Sequence, residues 1–116
     1  MNIVDFIEAR LDEDEQIARI GSIEFEGEPW VASGEVVLSD HEWNGSRVAE
    51  RVKYDRTASS HIARHDPARV LREVLAKRRI LSLALVRTNN DETDPIVLFL
   101  AEPWHNHPDH QPEWLL

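Results

Sequence analysis

Residues 66–87 read DPARVLREVLAKRRILSLALVR, and the reading of the whole chain turns on them. Aspartate is a strong helix N-cap and proline is tolerated at the first helical position, so Asp66-Pro67 marks a helix start. From there Val70, Val74, Leu81 and Leu85 form one row at 3.6-residue spacing, with Leu71, Leu75 and Arg78 beside it. Arg78 stands among apolar neighbours, which predicts that its guanidinium reaches a carboxylate or carbonyl within the fold. Helical spacing is already present from residue 57, so a short helical turn ending near His65 hands over to the long helix at Pro67. Glu73 and Lys77 lie four apart in the favourable order.

Towards the N-terminus, residues 2–20 form a second amphipathic pattern. Ile3, Val4, Ile7, Leu11 and Ala18 fall on one stripe, Phe6 and Ile17 flank it, and Gly21 supplies a stop. The run Asp12-Glu13-Asp14-Glu15 crosses that stripe only at Asp14. After Ser22 the pattern changes to short β-prone runs: Ile23-Glu24-Phe25-Glu26, Trp30-Val31-Ala32, Val36-Val37-Leu38, and Val48 to Tyr54. Asn44-Gly45 suits a type I′ hairpin turn, and pairing Trp43 with Ser46 would set Glu42 against Arg47 and Val37 against Val52. In that register Val37, Val48 and Val52, with Trp43, cover one side of a small antiparallel meander.

Beyond the polar loop 88–93, Asp94-Pro95 repeats the cap-and-proline start ahead of Ile96-Val97-Leu98-Phe99-Leu100-Ala101. Periodicity fits a two-turn helix or a buried strand there; the cap tips the reading to helix. The ending, with Pro103, Pro108 and Pro112 among Trp104, His105, His107, His110 and Trp114, is too proline-rich to be regular and reads as an aromatic tail clasped over the fold. The expected class is α+β: an N-terminal helix, a small antiparallel meander, a long helix, a short C-terminal element and the tail.

The 116 residues suit a single domain spanning 1–116. With no cysteine there are no disulfides, thiolate zinc sites or thiol nucleophiles. The start Met1-Asn2-Ile3-Val4-Asp5 lacks the marks of a signal peptide and no apolar run spans a bilayer, so a cytoplasmic place without a membrane is expected. The net charge of -9 conceals a pattern. Residues 1–50 carry 13 acidic against 3 basic side chains, residues 51–90 carry 3 against 10, and residues 91–116 carry 6 against none. Stretches of opposite sign neutralise one another when folded together.

The stretch HIARHDPARVLREVLAKRRIL at 61–81, with FIEARLDEDEQIAR near the start and HPDHQPEW at the end, resembles a family of small proteins of actinobacteria and their phages, a domain of unknown function. EPWVASGEVVLSD is more loosely similar to small accessory proteins of bacteriophages. The resemblance implies an actinobacterial or phage cytoplasm and no activity.

Three constellations invite a function. His61 and His65, four apart, put two imidazoles on one helix face, and His105, His107 and His110 could add ligands for a metal, with Asp66 or Asp109 orienting a ring. The bland account has His65 capping the turn before Asp66, His61 packing partly buried, and the tail rings leaning on Trp104 and Trp114. Arg64, Arg69, Arg72, Lys77, Arg78, Arg79 and Arg87 make the helix 64–87 basic, which a nucleic-acid-linked regulator would use, though the chain is acidic overall. Conversely, Asp12 to Glu15 with Glu24, Glu26 and Glu28 would let an acidic surface imitate DNA. Trp30, Trp43, Trp104 and Trp114 are numerous for the length and are candidate interface anchors.

No glycine pattern cradles a phosphate, no nucleophile elbow is present, and carboxylates are too abundant to single out an acid/base pair. No cofactor is implied. The expected role is a non-enzymatic accessory or protein-binding module acting through the long helix and the tail, on a protein partner or a second copy. The alternatives are a metal-binding domain or metal-dependent enzyme built on His61 and His65, and a regulator acting on nucleic acid.

Overall fold

A computed structural model describes residues 1–24, 29–33, 36–39, 47–49 and 56–115. Their order is α1 (Ile3–Glu24), β1 (Trp30–Ser33), β2 (Val36–Ser39), β3 (Arg47–Ala49), α2 (Arg56–Arg64), α3 (Pro67–Arg87) and α4 (Pro95–Ala101). Two 3₁₀ turns follow, Glu102–Trp104 and Pro112–Trp114. This is the expected α+β arrangement of N-terminal helix, antiparallel meander, long helix, short helix and tail. The chain divides into two compact units, one of residues 1–14 with 73–116, the other of residues 15–72.

In the second unit the strands lie in the order β1-β2-β3, all antiparallel. Trp30 pairs with Ser39 and Ala32 with Val37, so these four side chains share one face of the sheet. Val37 and Ser39 are buried there, while Val31 and Ser33 on the other face are exposed. Helix α2 packs against β1 and β2. It buries Ser59 and Ala63, two small residues one turn apart that let the helix axis approach.

The predicted register needs correction. Val37 faces Ala49, not Val52, and Leu38 faces Arg47, with an irregularity between them. Val48 is thereby the extra residue of the irregularity and has no partner of its own in the register. The Asn44-Gly45 turn, Trp43, Glu42, Ser46, Val52 and Tyr54 lie outside the described residues.

The handover between helices is as expected. Asp66 Oδ1 accepts the Arg69 N–H at 2.9 Å, capping α3. Its Oδ2 accepts the Trp30 N–H at 3.3 Å, which fastens the first residue of β1 to the start of α3. The cap of α4 also forms: Asp94 Oδ1 accepts the Ile96 N–H at 2.9 Å and Pro95 follows at the first position. Helix α3 ends in a left-handed turn at Asn89 and Asn90, whose φ values are 54° and 64°. The Asn90 N–H there bonds the Leu85 carbonyl at 2.8 Å, a Schellman closure.

Gly21 does not stop α1. The helix runs another turn to Glu24, so Ile23 and Glu24 are helical rather than strand, and Phe25 and Glu26 lie outside the described residues. An interior helical glycine is unfavourable by about 0.5–1 kcal/mol relative to alanine, and tertiary contacts override that preference. A Cβ added at Gly21 would sit 3.4 Å from Pro67 Cγ, an ordinary contact. Gly21→Ala is therefore expected to raise stability by about 0.5–1 kcal/mol, read as a higher urea midpoint with an unchanged slope. A lower midpoint would mean that Pro67 leaves no room.

In the first unit the buried apolar residues are Ile3, Phe6, Ile7 and Leu11 of α1, Val74, Leu81 and Ala84 of α3, Val97 and Ala101 of α4, and Trp114. The α1 stripe is as expected except at its edge. Phe6, read as flanking, is fully buried, whereas Ile17, which lies in the other unit, is exposed.

Candidate functional site

The first unit is organised around Phe6. The ring of Trp114 lies 5.1 Å from it, His107 5.5 Å, His110 5.6 Å and Trp104 6.5 Å, mostly edge-on. Such geometry sets the positive ring edges against negative faces and adds to what burial itself contributes. Arg10 stands 5.6 Å over the same ring. Its Nη1 lies 3.2 Å from His107 Nδ1, and its Nε forms an ion pair with Glu13 at 3.1 Å that lacks hydrogen-bond geometry. Lys77 Nζ sits 5.5 Å over the Trp104 ring. The tail is thus a packed clasp, and Trp114 is spent inside it rather than offered to a partner.

Burial pushes the Asp14 carboxyl above its ordinary value, while the Lys77 charge pulls it down. Like Glu15 beside it, Asp14, where the run crosses the apolar stripe, is half-buried. Its neighbour Asp12 accepts from Arg78 Nη2 at 2.6 Å, the carboxylate that the sequence predicts for Arg78. This pair joins an acidic stretch to the basic one.

The histidines separate into two groups. His61 and His65 do come together on α2, with ring centroids 4.4 Å apart. His65 donates from Nδ1 to the His61 carbonyl at 2.8 Å, as a residue closing the turn should. His61 is exposed, not partly buried. In the tail, His107 Nδ1 accepts the Asp109 N–H at 3.0 Å and His110 packs on Trp114 at 5.3 Å. Among the described residues no group of three or more histidine or carboxylate side chains could hold a metal ion. Trp30 is half-buried on β1, and Trp43 lies outside the described residues.

The basic residues of α3 divide as well. Arg69 Nη1 donates to the Arg64 carbonyl at 3.2 Å, and Lys77 and Arg78 are engaged as above. Arg79 and Arg87 are exposed and make no ion pair or hydrogen bond through their side chains with a described residue.

The sequence marks the long helix as a contact surface but not the apolar row on its outward face. Leu75 is 48% exposed, Ile80 44%, Leu83 52% and Val86 79%. With Ala76, Arg79 and Arg87 they occupy about 140° of the helix circumference at 100° per residue. Buried Val74 and Leu81 point the opposite way. An open groove of about 420 Å³ runs beside this face, lined by Arg78, Arg79, Ser82, Leu83 and Val86. A smaller one of about 210 Å³ lies between Glu8, Asp12, Arg78, Leu81 and Ser82. The signal was legible: α3 carries two apolar rows, and one side of a helix suffices for a core.

Over residues 1–116 the sequence matches the model of a family of unknown function, DUF6221. The chain belongs to that family. The match agrees with the expected domain of unknown function. No curated protein and no solved structure matches this DUF6221 chain. Among its described residues no helix is long and apolar enough to cross a membrane.

Proposed function

We propose that the protein is a non-enzymatic binding module of an actinobacterial or phage cytoplasm, and that it engages a protein partner through the outward face of α3. One observation carries the reading: four large aliphatic side chains, Leu75, Ile80, Leu83 and Val86, stand at least 44% exposed along three turns of a helix already anchored by its other side. Exposed aliphatic residues scattered singly are ordinary; a contiguous row mixed with arginine has the composition of an interface. The tail adds to this indirectly, since its tryptophans hold the unit together. The grooves beside α3 are open, and the carboxylate of Asp12 at one of them is already paired with Arg78.

The test compares wild type with a Leu83→Asp, Val86→Asp double variant as baits in the cells that make the chain. Both sites are exposed, so the melting temperature should stay within a degree or two. Stoichiometric partners should be lost from the variant and retained by a Glu113→Lys control. Identical partners on both baits would remove α3 from the reading.

A further inference from the structure

Resting on that reading of α3 as a contact face, we propose that its occupant is an acidic amphipathic helix of a protein partner. Its apolar row would lie on Leu75, Leu83 and Val86, with its carboxylates against Arg79 and Arg87. At 1.5 Å per residue the stretch 75–87 is about 20 Å long, room for three turns of a partner helix. Helix-in-groove recognition uses this layout, apolar anchors at i, i+3/i+4 and i+7 with charges outside them.

Charge selects among occupants. Between Pro67 and Arg87, α3 has six basic residues and one acidic. Arg69, Lys77 and Arg78 are engaged within their own units. Arg72 is exposed but belongs to the other unit, so in the stretch 75–87 Arg79, inside the apolar row, and Arg87, at its C-terminal end, remain for a ligand. A second copy related by a two-fold axis would bring the same patch against itself. Arg79, at the middle of the stretch, would then face its symmetry mate near the axis with no carboxylate of this face between them, and like charges so placed are costly. A nucleic acid is disfavoured by the same geometry. Phosphates need cations foremost, whereas Leu83 stands at the centre of this face with Leu75, Ile80 and Val86 around it, and a sugar-phosphate chain gains nothing from them.

The experiment is selection from a displayed library of amphipathic helices of about 18 residues, with fixed apolar rows and free flanking positions, against purified full-length protein. Wild type should enrich aspartate and glutamate at the flanks. An Arg79→Glu, Arg87→Glu variant should reverse the preference to lysine and arginine and weaken the wild-type winners by roughly tenfold. Circular dichroism confirms that both fold. Enrichment of uncharged or basic flanks by wild type would overturn the acidic occupant while leaving α3 as a contact face, provided that Leu83→Asp still abolishes binding. Winners indifferent to Leu83→Asp would overturn the contact face itself. Two further results would overturn the acidic helix in favour of another occupant: a concentration-dependent dimer in sedimentation that Leu83→Asp dissociates, or steeply salt-dependent binding to duplex DNA lost in the arginine variant.

Discussion

Replacing Phe6 by alanine is expected to destabilise the protein by about 3–5 kcal/mol, the usual cost of deleting a large aromatic side chain from a core. Phe6 is 0% exposed, and its ring is the common neighbour of Trp104, His107, His110 and Trp114. Alanine would leave a cavity that four rings from an irregular, proline-bounded tail line together. Those rings sit on short 3₁₀ turns and loops, which gives them little independent reason to stay. Phe6→Leu keeps most of the volume and should cost less. Urea titration reads the loss as a fall in midpoint. A double-mutant cycle with Trp114→Ala should be non-additive, because both side chains empty one shared space. A loss below about 1 kcal/mol for Phe6→Ala would mean that the tail is not clasped on α1 as described.

The second large effect is expected at Asp66. Its two carboxylate oxygens serve two backbone donors, the Arg69 N–H at the start of α3 and the Trp30 N–H at the start of β1. Asp66→Ala removes an N-cap, worth about 1 kcal/mol, and leaves the Trp30 N–H without this acceptor, for a further 1–2 kcal/mol or so. The expected total is roughly 2–3 kcal/mol. Asp66→Asn keeps one acceptor oxygen and should recover about half. Amide hydrogen exchange gives the sharper readout, since protection should fall first at Arg69 and Trp30. Unchanged exchange at Trp30 would show that the bond to β1 carries no weight.

The sequence made the helix boundaries legible where the physics is local. Asp66-Pro67 and Asp94-Pro95 each supply a cap acceptor and a pre-set φ within two residues, and both helices begin there. Local rules failed where tertiary contact decides. Gly21 sits inside α1 because the backbone conformation continues past it. The β2–β3 pairing departs from the expected register and carries an irregularity at Val48, which no alternation of valines announces.

The candidate site was half legible for a related reason. The apolar residues of α3 were visible, with Leu75 in a row beside that of Val74, but spacing shows rows and not which of two rows is covered. The pairing of Arg78 with a carboxylate was foreseeable, since a guanidinium at the edge of an apolar stripe needs a partner. His61 and His65 met as their spacing required, and that proximity alone does not assemble a ligand set.

The two units differ in how they must be made. Residues 15–72 are contiguous, so as a ribosome extends the chain this unit has all its parts well before Trp114 is added. The other is discontinuous: Phe6 emerges more than a hundred residues before Trp114, and the ring contact between them closes that loop. Phe6 and its neighbours on α1 must therefore wait, without the Trp114 ring to cover them, until the turn Pro112–Trp114 has left the exit tunnel. A nascent chain stalled short of Trp114 should be a ready substrate for chaperones and proteases, whereas the released chain should not.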